Sequence, residues 1–181
     1  MIAIIDYGAG NIFSVKNALD YLGVENKLTA DKNEICAADE IILPGVGAFP
    51  WAMKMLRDSG LVDTIREEAR KKPFLGICLG MQLIFDKGYE FEETDGLRLI
   101  GGKVEKIDRK DMIIPHMGWN ELVINRDCPI LKGLPEHPYV YFVHSYAAVC
   151  DEANVSAYCD YGGKITALVH DGAYVYGAQF H

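Results

Sequence analysis

Gly76-Ile77-Cys78-Leu79-Gly80 sets a cysteine between two glycines, with the apolar Phe74-Leu75 before it and the helix-like Met81-Gln82-Leu83-Ile84-Phe85 after it. This is the pattern of a nucleophile elbow: a strand turns sharply into a helix, and small residues two positions to either side let backbone pack close while the nucleophile is presented. Cys78 is then expected at a helix N-terminus, where free N–H groups favour the thiolate, the reacting form. An isolated cysteine would more simply be a buried apolar residue. The flanking glycines and the strand-turn-helix context favour the nucleophile.

Such a nucleophile needs a base, donors for an oxyanion and a substrate pocket. Of the five histidines, His181 closes the alternating run Tyr174-Val175-Tyr176-Gly177-Ala178-Gln179-Phe180. It is expected at the carboxyl end of a strand, on the same sheet edge as Cys78 if that strand is parallel, and is the expected base. His144, in Phe142-Val143-His144-Ser145-Tyr146, is the second candidate. His116 and His137 neighbour prolines in loop-like contexts and His170 precedes Asp171-Gly172, so these three read as structural. Oxyanion donors are expected from the backbone N–H of Leu79 and from Val46 and Gly47 in Pro44-Gly45-Val46-Gly47, where glycine permits close approach; a tight turn without chemistry is the plainer reading of that segment. Gly8-Ala9-Gly10 begins like a dinucleotide loop, but Phe13 stands where the third glycine belongs, so no nucleotide is expected there.

The elements that must position these residues follow from periodicity. Ile2 to Ile5 reads as a strand buried on both faces, followed by a glycine loop and a helix with Val15, Ala18, Leu19 and Leu22 on one stripe, Asn11 or Ser14 as cap and Gly23 as stop. The unit recurs as a strand at 40–43, a turn at 44–47 and a helix from about Pro50 to Gly60; a further helix over 61–72 leads through Pro73 into the elbow strand. Repeated βαβ units imply an α/β fold with an open, mostly parallel, doubly wound sheet. After about Gly88 shorter strand-like runs, clearest at 139–146, 165–170 and 174–181, are expected to add antiparallel strands to the same sheet.

The chain has 181 residues, half of them hydrophobic, so one domain over 1–181 with a sizeable core is expected. A net charge of −8 without a clustered basic run argues against nucleic acid as a partner; Arg70-Lys71-Lys72 reads as the cationic end of a helix. The first residues enter an apolar strand without a basic leader, and no apolar run approaches ~18 residues, so no membrane partner and a cytoplasmic location are expected. Five cysteines without a C-x-x-C pair or a Cys/His cluster suit a reducing compartment, no metal and no cofactor.

Taken in order, Asp6-Tyr7-Gly8-Ala9-Gly10-Asn11, Pro44 to Phe49, Leu75 to Gln82, Pro115-His116-Met117-Gly118-Trp119-Asn120, Tyr141 to Tyr146 and Gly177 to His181 resemble successive motifs of the glutaminase subunits of imidazole glycerol phosphate synthase, which are class I glutamine amidotransferases. The resemblance covers nearly the whole chain. It implies hydrolysis of L-glutamine to glutamate and ammonia, with Gly47, Gln82, Ser145 and Tyr146 lining the glutamine pocket. It also implies a heterodimer with a (β/α)8-barrel cyclase subunit, which uses the ammonia to make imidazole glycerol phosphate and aminoimidazole carboxamide ribotide in histidine biosynthesis. Family members usually continue past the histidine with Pro and the Glu of a Cys-His-Glu triad, so the working protein is expected to extend beyond His181. Arg98 and Gly101 replace the usual Gly and Pro of one motif, which leaves a paralogous subunit of surface-sugar biosynthesis as an alternative, and the missing Glu leaves a catalytically silent regulatory subunit as another.

Overall fold

A computed structural model describes residues 1–181. Its first half alternates strand and helix: β1 (Ile2–Ile5), α1 (Ile12–Tyr21), β2 (Asn26–Thr29), α2 (Lys32–Ala37), β3 (Glu40–Gly45), α3 (Phe49–Asp58), α4 (Val62–Glu68), β4 (Phe74–Cys78) and α5 (Leu79–Leu83). Strands dominate the rest: β5 (Lys87–Gly88), β6 (Thr94–Asp95), β7 (Gly102–Lys106), β8 (His116–Glu121), β9 (Val123–Ile124), β10 (Tyr139–His144), β11 (Tyr146–Cys150), β12 (Val155–Asp160), β13 (Lys164–His170) and β14 (Val175–Ala178).

Eight strands form the main sheet in the order β2-β1-β3-β4-β14-β13-β12-β9. β2, β1, β3, β4 and β14 are mutually parallel, and β13, β12 and β9 continue it antiparallel. Ile5, Ile41, Leu43 and Phe74 are buried in one core with residues of the helices and with Val104 and Ala148 of a second sheet. That second sheet, β11-β7-β5-β6, and a two-stranded ribbon of β8 and β10 lie outside the main one, so only part of the expected antiparallel addition joins it. The run 139–146 is not one strand. It breaks at Ser145, where β10 pairs with β8 and β11 leaves to pair with β7.

Boundaries follow local chemistry. The Asp31 carboxylate caps α2 by accepting from the N–H groups of Asn33 and Glu34 at 2.7 and 3.2 Å. Lys72 closes the other end of α2 by donating to the carbonyls of Cys36 and Ala38 at 2.7 Å each. α4 is shorter than the 61–72 pattern implied, ending at Glu68, whose buried carboxylate pairs with Lys71 and Lys72. α1 starts after Asn11 without a side-chain cap and stops before Gly23, which has φ +70°. Its expected stripe is only partly covered: Val15 and Leu19 are half-buried, Ala18 and Leu22 exposed.

Candidate active site

Three glycines build the elbow. A Cβ on Gly76 would lie 2.5 Å from the Gly80 carbonyl oxygen, one on Gly80 only 1.9 Å from the Leu43 carbonyl oxygen, and one on Gly45 2.6 Å from the Gly80 nitrogen. Their absent side chains let β3, β4 and the first turn of α5 close on one another, which holds Cys78 at φ 57°, ψ −112°. That conformation costs a non-glycine residue of order 1–3 kcal/mol and persists only where the surroundings over-determine it.

Sheet register then gathers the other groups. Gly45 pairs with Cys78 across β3 and β4, so Val46 and Gly47 leave the sheet directly beside the sulfur. Gly47 has φ +97° and open space around it; glycine is required there by torsion rather than by room. The Tyr7 hydroxyl donates to the Pro44 carbonyl at 3.1 Å, tying the D-Y-G-A-G-N loop to the base of this turn. In the same loop Gly10 packs against Pro44 and Gly8 against Met55. β14 runs parallel to β4 with Ala178 opposite Ile77, so the chain beyond β14 arrives at the Cys78 edge, as the alternating run implied. His181 lies three residues past the strand, its N–H donating to the Tyr141 carbonyl at 3.0 Å.

Val46, Gly47, Cys78, Leu79, Gln82, Ser145, Tyr146 and His181 all line one cavity of about 350 Å³. A larger groove of about 990 Å³ between α3 and residues 91–95 is lined by neither a cysteine nor a histidine. The 350 Å³ cavity has one carboxylate in its wall, Glu90, which sequence reading did not single out. Glu90 Oε2 also accepts from the Phe49 N–H at 2.8 Å, capping α3, whose own cap residue is Ala48. The two residues are 41 positions apart, and no local pattern links them.

The electrostatics differ from the expectation. Cys78 is only 7% exposed, and burial pushes its thiol up to about 11, against a lowering by the Leu79 backbone N–H. α5 has only five residues, too short for its N-terminus to offset that desolvation. The exposed cysteine is Cys36, in α2. Desolvation also holds the His181 imidazole below its ordinary pKa. Thiol and imidazole are therefore both neutral at rest.

His144, the second candidate base, has both ring nitrogens engaged: Nδ1 with the Tyr146 carbonyl at 2.8 Å and Nε2 with His116 Nδ1 at 2.9 Å. Burial lowers its pKa to about 4. It can neither swing toward substrate nor take a proton near neutrality. His116 sits in β8 rather than in a loop, fully buried between the rings of Phe142 and Tyr161. The alternation of the ribbon explains this: His116, Phe142 and His144 point inward, whereas Met117, Trp119 and Val143 on the other face are exposed. His137 pairs with Glu121 at the surface, and His170 stacks on Tyr176 with ring centroids 4.2 Å apart.

The model of the family "Glutamine amidotransferase class-I" matches residues 3–181. The chain is 50% identical over its whole length to the imidazole glycerol phosphate synthase subunit HisH of Bacillus cereus (strain G9842), covering 86% of that protein. It is 48% identical over its whole length to the subunit of the same name from Listeria monocytogenes serotype 4a (strain HCC23), covering 87% of it. Among solved structures, a glutamine amidotransferase superposes with a TM-score of 0.77 at 22% identity, over 100% of this chain and 90% of that one. PurLQS from Thermotoga maritima superposes with a TM-score of 0.75 at 22% identity, over 99% of this chain and 86% of that one. These two likenesses concern the fold. The family match and the near-50% relatives establish that the chain belongs to the class I glutamine amidotransferases.

Proposed function

We propose that the chain is the glutaminase subunit of an imidazole glycerol phosphate synthase, with Cys78 as nucleophile and His181 as base. The observation that carries this reading is the strained elbow of Cys78 opening into the same cavity as Gly47 and His181. Two relatives at about 50% identity, both named as subunits of that synthase, set the pathway as histidine biosynthesis.

Glutamine enters with its side-chain amide toward the sulfur, and its α-ammonium group finds the one carboxylate of the wall, Glu90. Ionising a thiol of pKa about 11 at pH 7 costs roughly 5 kcal/mol, so the proton passes to neutral His181 as sulfur attacks the amide carbon. The tetrahedral oxyanion accepts from the Leu79 N–H and from the Val46-Gly47 turn, each such donor contributing about 2.7–4 kcal/mol. His181 gives its proton to the leaving ammonia, then takes one from the water that cleaves the thioester to glutamate. Ser145 and Tyr146 form the facing wall of the substrate site.

Because His181 must be neutral to accept the thiol proton, and burial lowers its pKa, kcat/KM for glutamine should fall on the acid side with a midpoint below the ordinary imidazole value of 6.5. Initial rates of glutamate formation between pH 5 and 8 check this. A midpoint at or above that value would remove His181 as the base.

The partner is a (β/α)8-barrel cyclase subunit that receives the ammonia. Met117, Trp119 and Val143, exposed on one face of the β8-β10 ribbon beside the cavity, form the surface assigned to it. Gly47 leaves the Val46-Gly47 turn free to re-aim its N–H groups, so the isolated chain should turn over glutamine slowly and accelerate when the cyclase and its ligand are added. Glutamate release with and without the cyclase tests the function: no hydrolysis in either case would refute it, and full hydrolysis unchanged by the cyclase would refute the coupling.

A further inference from the structure

Beneath the sulfur runs a hydrogen-bond chain whose direction is fixed by one backbone carbonyl. The carbonyl of Tyr146 can only accept, so the Gln82 atom 3.0 Å from it must be the amide nitrogen. That nitrogen also donates to the Gln179 side chain at 2.9 Å, which must therefore present its oxygen. The Gln179 NH2 group is left facing Cys78, with Nε2 3.9 Å from Sγ. An amide NH2 has no lone pair to offer, so the sulfur is the acceptor. On the far side the same carbonyl fixes His144: its Nδ1 carries the hydrogen, and its Nε2 accepts from His116. Gln179 is fully buried, Gln82 nearly so, and neither can exchange these partners for water.

We propose that Gln179 is a catalytic residue that donates its side-chain N–H to the Cys78 sulfur and stabilises the thiolate as it forms. This assignment rests on Cys78 being the glutaminase nucleophile. A neutral thiol is a weak acceptor and a thiolate a strong one, so the contact strengthens as the proton leaves for His181 and favours the transition state over the resting thiol. Gln82 is a positioning residue in this scheme: its two donated hydrogen bonds stop the Gln179 amide from turning its oxygen to the sulfur. His144 and His116 anchor the other end of the chain.

The test is alkylation of the full chain with iodoacetamide at pH 8 in the absence of glutamine, with peptide mass mapping. The exposed Cys36 serves as an internal reference thiol. Gln179→Met removes the donor at similar length, and the Cys78-to-Cys36 rate ratio should fall about tenfold, the thiolate fraction lost when a thiol pKa rises by one. Gln82→Met, which releases the Gln179 amide to turn, should lower the ratio by less, and it carries the test if the first variant does not fold. A purely structural role would loosen packing instead, raising labelling at Cys78 and at the buried Cys128 and Cys159. A ratio unchanged within twofold, or increased, overturns the proposal. Glutamate formation by the unsubstituted chain with its cyclase is measured in parallel; its absence would refute the glutaminase reading, whereas the alkylation ratio decides the role of Gln179 separately.

Discussion

Replacing Cys78 with alanine is expected to abolish glutamine hydrolysis, by a factor on the scale of about 10⁶ seen when a triad nucleophile is removed, while the cyclase continues to make product from added ammonia. The asymmetry follows from the division of labour proposed above. The sulfur is consumed and regenerated only in making ammonia, and no step after its release involves this chain. The fold should survive, because alanine fills the same buried position and inherits the same backbone strain at φ 57°. Parallel assays with glutamine and with ammonium salt, on variant protein mixed with cyclase, separate the two activities. Loss of both would mean that Cys78 supports the complex rather than the chemistry.

Gly80→Ala is expected to be the most damaging single methyl group in the chain. The added carbon would lie 1.9 Å from the Leu43 carbonyl oxygen, and that obstacle is backbone in the middle of β3, not the flexible end of a side chain. α5 would have to move away from β3, taking the Leu79 N–H and the Val46-Gly47 turn out of register with the sulfur. Overpacking of this kind costs about 3 kcal/mol or more, which for a domain of this size lowers Tm by roughly 6–12 °C. Gly172→Ala is the contrast: Gly80 is helical and carries no positive φ, whereas Gly172 has φ +86°, unfavourable for alanine, with nothing within 4 Å, so torsion alone should cost about 1–2 kcal/mol. Thermal unfolding of both variants checks the difference. Equal Tm values would mean that the close approach of α5 to β3 is not what sets the glycine at position 80.

The elbow was legible in the sequence because its geometry demands glycine at fixed offsets from the nucleophile. Gly76 and Gly80 are that demand written out. The meeting of His181 with Cys78 was legible from a single inference, that the last strand runs parallel to the elbow strand, which the pairing of β14 with β4 satisfies. What could not be read was set by contacts without local periodicity. Glu90 caps a helix that begins 41 residues earlier, and the amides of Gln82 and Gln179 meet across 97 residues. The break at Ser145 was hidden because the residues on either side are equally strand-like, and only the choice of partner, β8 or β7, separates them. The protonation state of Cys78 was misjudged for a related reason. A helix start is visible in sequence, but the desolvation that outweighs it arises from how tightly three glycine-lined segments close around the sulfur.

The central claim, that Cys78 is the nucleophile toward glutamine, is tested most directly by a glutamine-shaped electrophile, a diazo-oxo-norleucine, incubated with the chain and its cyclase and followed by peptide mapping. The expected result is one adduct per chain, on Cys78, prevented by excess glutamine and absent from Cys78→Ala, even though Cys36 is far more exposed. Adducts at Cys36, Cys128, Cys150 or Cys159 at a comparable rate, or labelling that glutamine does not suppress, would contradict it.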